Sequence, residues 1–407
     1  MRNYKKIIVL SIFLMLFGEA FGETLVGSAY RYLFVSANVV MLAVYLMIGK
    51  TKIDRLDRFP VTATVLSWVL LLVSILFWDF YHNIYSYAGI FVAMVAYLLD
   101  FKYANKLIVW LVYLSLGLTA FEFFTHKLLF VNTIRGIEFD EYIFGGSLGV
   151  FRAKGLFYGP TVLGMFMVTA FLLNSKNVWL LLAAILSCFF ANARLGIVLL
   201  AVPFLFLLFR RKNLIYLFPA IVLCIFLIGY TYTQSASVSL ERFAALAESG
   251  SQSARLYFWE KGIELFSNYP LKYILFGNNG YYSYTYQNNP ESGWICLLTD
   301  NGITGFLFYL LPLLYCLDKF VKRKEWNSLM LTAILIAFNF AITGHLSGTG
   351  NLMYWLVVFE LYNKARYGYG KLDKITLLEI NLQYQYENPA HREILPSVLR
   401  GNRKGEF

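Results

Sequence analysis

From one end of this chain to the other, apolar runs close to the length that crosses a bilayer recur, separated by short polar punctuation. A soluble core has no use for so many, because each run carries enough apolar surface to be solvated by lipid on its own. Composition agrees: of 407 residues, 59% are hydrophobic and 14% charged, more apolar and less charged than soluble domains. Hydropathy read with turn and charge punctuation predicts spans near 7–23, 32–49, 60–80, 84–99, 106–124, 156–173, 178–191, 195–209, 214–232, 293–316, 327–343 and 351–363. The expected fold is an all-α polytopic membrane protein of about 12 transmembrane helices. It divides into one transmembrane domain over 1–363 and a cytoplasmic tail over 364–407.

The net charge of +11 raises the question of nucleic acid, but Lys and Arg sit beside the apolar runs and form no basic domain. Their placement sets orientation instead. With the N-terminus inside, the even-numbered connections carry Lys50, Lys52, Arg55 and Arg58, then Lys102 and Lys106, then Arg210, Arg211 and Lys212, then Lys319, Lys322, Arg323 and Lys324. The positive-inside rule is obeyed throughout, which puts both termini in the cytoplasm. One missed or invented span would flip every later loop, so the agreement also tests the span count. The 178–209 stretch is split at Asn192-Ala193-Arg194, because an arginine left at the bilayer centre costs several kcal/mol. Lys5-Lys6, the apolar run after them and Ala20-Phe21-Gly22 have the parts of a signal peptide, yet the next span follows so closely that an uncleaved first span is expected.

Two outer loops, 125–155 and 233–292, are longer than connection requires, and function is expected there. In the second, apolar positions 256, 259, 263 and 266 recur at helical spacing with charges between them. That pattern predicts a helix lying on the outer membrane face, ended by Asn268 and Pro270. Cys188, Cys224, Cys296 and Cys316 lie in apolar segments without zinc or disulfide spacing, and read as small packing residues. No internal repeat is visible, which disfavours transporters built from duplicated halves.

Arg135, Arg152, Lys154, Arg194, Arg242, Arg255, Lys261 and Lys272 lie on the outer side, against the trend of the topology. Arg152 and Arg194 abut the outer mouths of spans, where a guanidinium can hold a phosphate bidentately in low dielectric or snorkel to a lipid headgroup. Arg255 opens the surface helix. Glu291 stands where the large loop re-enters the membrane, as a base for a hydroxyl or as an acid complementing a helix dipole. His345 falls in the last outer loop, as a proton acceptor or a turn residue. No metalloprotease, phosphate-loop or serine-hydrolase motif occurs, so no cofactor or metal is expected.

Three segments resemble the bacterial O-antigen polymerase and ligase superfamily. The first runs from Arg152 through Gly155, Gly159 and Pro160 to Gly164. The second is Phe190-Ala191-Asn192-Ala193-Arg194-Leu195-Gly196, with Ala193 where the family usually has Ser. The third runs from Arg255 and Trp259 through Asn268-Tyr269-Pro270 and Phe276-Gly277-Asn278-Asn279-Gly280 to Glu291-Ser292-Gly293-Trp294 and Leu297 to Gly305. Ligases of the superfamily usually have a His before the helix after the large loop, where this chain has Glu291-Ser292, so the departure favours a polymerase.

The resemblance implies a membrane glycosyltransferase of the bacterial cytoplasmic membrane, acting on its outer face. Its substrate is then an undecaprenyl-diphosphate-linked oligosaccharide, and a flippase and a chain-length regulator are its expected partners. On that reading Arg152, Arg194 and Arg255 grip the diphosphate, and Glu291 or His345 activates the acceptor hydroxyl. Other readings are a ligase-type transferase, and a transporter or flippase of lipid-linked sugars, which would more often carry ionisable residues or broken helices at mid-membrane.

Overall fold

A computed structural model describes residues 5–13, 15–16, 36, 39–41, 43, 54–80, 87–131, 133–134, 137–138, 151–208, 254–286, 288–341 and 348–373. Most of the span predicted near 32–49, the span near 214–232, His345 and the tail beyond 373 lie outside the described residues. Helix begins the described chain at 5–13 and 15–16. It is followed by α1 (Arg58–Ile75), α2 (Ala88–Thr125), α3 (Pro160–Leu173), α4 (Val178–Phe190) and α5 (Arg194–Leu208). Then come α6 (Ala254–Ser267), α7 (Leu271–Phe276), α8 (Tyr281–Tyr286), α9 (Gly293–Arg323), α10 (Trp326–Ala341) and α11 (Gly348–Tyr367). One two-residue antiparallel pair, Thr133–Ile134 with Ile137–Glu138, is the exception to helix among the described residues.

Three of these helices are long and apolar enough to cross a membrane: Arg55–Ile75, Ala88–Thr125 and Gly293–Arg323. Pro160–Leu173, Val178–Phe190, Arg194–Leu205 and Trp326–Phe340 are shorter apolar helices. Side-chain placement in α1 is inverted relative to a soluble protein. Ala63, Thr64, Ser67 and Ser74 are buried, while Val65, Leu66, Val69 and Leu72 are exposed. Small and hydroxyl residues facing inward with large aliphatics outward is how helices pack in lipid, where close backbone approach replaces the hydrophobic drive.

α11 forms the centre of the bundle, with every residue from Gly348 to Phe359 buried, and it packs on α2, α3 and α9. α2 is broken at Asp100, whose backbone leaves helical geometry (φ −155°, ψ 74°) and whose carboxylate accepts from the Tyr103 N–H at 3.0 Å. Its two halves match the separate spans predicted near 84–99 and 106–124. The predicted split of 178–209 falls between α4 and α5, with Asn192 left-handed at φ 49°.

Hydrogen bonds sort the helix ends into two groups. At one end the Lys371 ammonium bonds the Asp57 carboxylate at 2.7 Å, the Tyr97 hydroxyl donates to Glu360 at 2.9 Å and the Asn363 amide donates to the Leu56 carbonyl at 2.7 Å. Lys5 reaches Asp100, Lys176 reaches Asp373 and Arg323 donates to the Lys364 carbonyl at this same basic end. Residues 364–373, read from sequence as the start of a tail, are therefore packed against the bundle. At the other end Thr349 donates to the Leu16 carbonyl at 2.9 Å, and the Trp78 indole N–H donates to the Phe276 carbonyl at 2.8 Å.

The span predicted near 293–316 falls in α9, which is long and apolar enough to cross a membrane and is interrupted at Gly302 (φ 66°, ψ −168°). The cause lies in a second segment: a Cβ on Gly302 would come within 2.5 Å of the Leu275 backbone, and one on Gly277 (φ 71°) within 2.3 Å of the Asp300–Asn301 backbone. Two chain segments cross at van der Waals contact, each through a left-handed glycine. Gly302→Ala should cost on the order of 2–4 kcal/mol through backbone overlap and strain. A thermal melt of the detergent-solubilised protein checks this, and an unchanged melt would contradict the crossing.

Candidate active site

Arg152 and Arg194 come from distant segments that meet at the end of the bundle opposite the Asp57–Lys371 pair. α4 closes in a tight turn, with the Ala193 N–H donating to the Cys188 carbonyl at 2.8 Å, and α5 starts at Arg194. Arg194 Nε points back to the Asn192 side-chain oxygen at 3.4 Å, a long bond that constrains it weakly. The Ala153 N–H donates to the Phe190 carbonyl at 3.3 Å, tying the residue after Arg152 to the same turn.

A residue that sequence reasoning missed holds this junction. Glu122, fully buried in the last turn of α2, accepts N–H bonds from Leu129 at 2.8 Å, Lys154 at 2.8 Å and Gly155 at 2.7 Å. Lys154, expected as an ordinary loop charge, is also fully buried and lies within electrostatic reach of that carboxylate. The available signal was a single carboxylate inside an otherwise apolar run, which is costly unless satisfied.

Arg255 and Glu291 form a second group. α6 ends where the sequence predicted, and its exposed Leu256 and Ile263 leave an apolar stripe facing outward. Its other side packs down through Gly262 onto Ile295 and Pro290, and the Tyr282 hydroxyl donates to the Phe258 carbonyl at 2.9 Å. Trp259 meets the Phe340 ring at 4.9 Å, joining α6 to the end of α10. Arg255 Nε donates to Glu291 Oε2 at 2.8 Å, with the two side chains 51% and 37% exposed. In water such a pair contributes only about 0–1 kcal/mol, so its value is orientation.

Glu291 adopts a left-handed backbone (φ 51°) and its N–H donates to the Asn289 side chain at 2.9 Å. Ser292 takes the cap position of α9, and its first turn contains no acidic residue. Glu291 therefore stands just before the cap of α9, with its carboxylate accepting from Arg255. His345 lies outside the described residues. Among the described residues no three His, Cys, Asp or Glu side chains gather as a metal-binding group. Among the described residues, guanidinium groups and single carboxylates stand together at this end of the bundle.

Residues 162–310 match the family described as O-antigen ligase. The match includes Arg194, Arg255 and Glu291 and leaves Arg152 and His345 outside it. It bears out the resemblance to the O-antigen polymerase and ligase superfamily read from the sequence. No curated protein matches the chain.

Proposed function

We propose that this membrane protein, whose residues 162–310 carry the O-antigen ligase family domain, polymerises undecaprenyl-diphosphate-linked oligosaccharide repeat units. The reaction takes place on the outer face of the bacterial cytoplasmic membrane, and the product is O-antigen, capsule or another exopolysaccharide. One observation carries the reading: Arg152, Arg194 and the Arg255–Glu291 pair all stand at the end of the bundle opposite the Lys and Arg of the basic end. By the positive-inside rule the basic end is cytoplasmic, which turns these arginines outward, where lipid-linked glycans are joined.

The chemistry asks little more of the protein. An acceptor hydroxyl attacks the anomeric carbon of the donor, and the carbon–oxygen bond to the diphosphate breaks with its electron pair on the leaving group. Guanidinium groups brought to the departing diphosphate stabilise that developing charge without a metal. Arg152, Arg194 and Arg255 take that role, and Glu291 or His345 receives the proton of the acceptor hydroxyl. Glu291-Ser292 at the usual ligase histidine position favours polymerisation. The match to a ligase-described family keeps transfer to a different acceptor as the second reading.

Purified protein in vesicles, given purified lipid-linked repeat units and no ATP, should lengthen the glycan and release undecaprenyl diphosphate. Transfer only to a lipid A–core acceptor would convert the assignment to ligase. Movement of the units across the bilayer with no glycosidic bond formed would overturn it in favour of a transporter.

A further inference from the structure

A third group of polar atoms lies under the large loop, apart from the arginines. Asp300 stands two residues before the break in α9, half-buried, and each of its bonds is long. The Gly280 N–H reaches it at 3.3 Å, the Thr299 hydroxyl at 3.4 Å and the Cys296 thiol at 3.7 Å. No cation lies within ion-pair distance of it among the described residues. Tyr269, 7% exposed, packs near Tyr281, the residue after the Gly280 that bonds Asp300, and its hydroxyl has no hydrogen-bond partner among the described residues. Burial, and after it the charge of Asp300, push the Tyr269 phenol up from its ordinary value, so the two groups feel each other. The Tyr269 ring packs edge-on against Phe266 and Tyr273, with Tyr281 at 6.4 Å.

A carboxylate with spare acceptor capacity, a buried phenol with spare capacity to donate and accept, and aromatic walls together match one class of ligand. A sugar ring presents hydroxyls to the first two and C–H faces to the third. A diphosphate fits poorly, because among the described residues the charged group hydrogen-bonded here is the Asp300 carboxyl, and the Lys272 ammonium over the Tyr273 ring is engaged with Asp79. We propose that Asp300 and Tyr269 form a hydroxyl-recognition site for a sugar of the repeat unit, separate from the arginines that take the diphosphate. The inference rests on the glycan reading above. It adds that sugar specificity resides in α9 and the segment between α6 and α7.

The probe is the lipid-free repeat oligosaccharide released by mild acid from the lipid-linked pool of the source cells. Saturation-transfer NMR on the full chain in detergent should show it bound to the wild type. Asp300→Asn and Tyr269→Phe should each weaken binding about tenfold, the loss of one hydrogen bond. Arg152→Glu with Arg194→Glu should leave it unchanged. Tyr269→Phe removes only a buried hydroxyl without a partner, so its melting temperature should stay level or rise while binding falls, which a purely structural role would not produce. No binding to the wild type, or binding to Tyr269→Phe and Asp300→Asn as tight as to the wild type, overturns the site. Oligosaccharide binding without polymer formation in vesicles would sink the polymerase reading alone, and polymer formation without binding would sink this one.

Discussion

Cells carrying Arg152→Glu together with Arg194→Glu should lose long-chain polymer while keeping normal amounts of the membrane protein. On the proposed function, each substitution replaces a bidentate phosphate donor by an anion that repels the leaving group, so a source of stabilisation becomes a penalty in the transition state. Removing one donor of this kind typically costs about 100-fold to 1,000-fold in rate, and reversing two should leave no measurable chain extension. The paired lysine variant keeps the charge but not the planar fork, and should retain a reduced activity. The readout is the length distribution of the surface polysaccharide at matched protein abundance. A normal distribution in the glutamate variant would remove both residues from the site.

The largest expected loss of stability belongs to Glu122→Ala. Its carboxylate closes the loop after α2 at Leu129 and the segment before α3 at Lys154 and Gly155, all within 2.8 Å. Alanine would leave these three N–H groups without their acceptor and would remove the negative charge next to the buried Lys154 ammonium. Bonds to a charged acceptor contribute about 1.5–3 kcal/mol each, and the three are not additive, so a loss on the order of 4 kcal/mol is expected. Glu122→Gln keeps an acceptor oxygen but turns an NH2 toward an N–H donor, and should lose roughly half as much. Thermal melts of the two variants check this ranking. If alanine melted within about 1 °C of the wild type, Glu122 would not be the anchor of the Arg152 segment.

How far the sequence could be read depended on whether a feature answers to its own neighbours. The division between α4 and α5 was legible because an arginine inside an apolar run carries a penalty whatever surrounds it. The helix α6 was legible from spacing and its proline stop. The break at Gly302 was not: one glycine in an apolar run is tolerated in a helix at about 1 kcal/mol, and the backbone that forces the break belongs to Leu275 and Gly277. Glu291 read equally well as a base or a dipole partner, since its ion pair is with Arg255, 36 residues earlier. Asp300 and Tyr269 belong to two separate pieces of the family resemblance and drew no attention as a pair, because nothing local connects one piece to the other.

By itself the sequence determined that this chain lives in a membrane, the alternation of its charged connections and its resemblance to the O-antigen polymerase and ligase superfamily. Each of these follows from the transfer free energy of one segment, or from residues a short step apart. Only the tertiary structure decided which distant side chains meet: Glu122 with Lys154, Arg255 with Glu291, Gly277 with Gly302. Such pairings arise from packing between helices far apart along the chain, a distance that hydropathy does not contain.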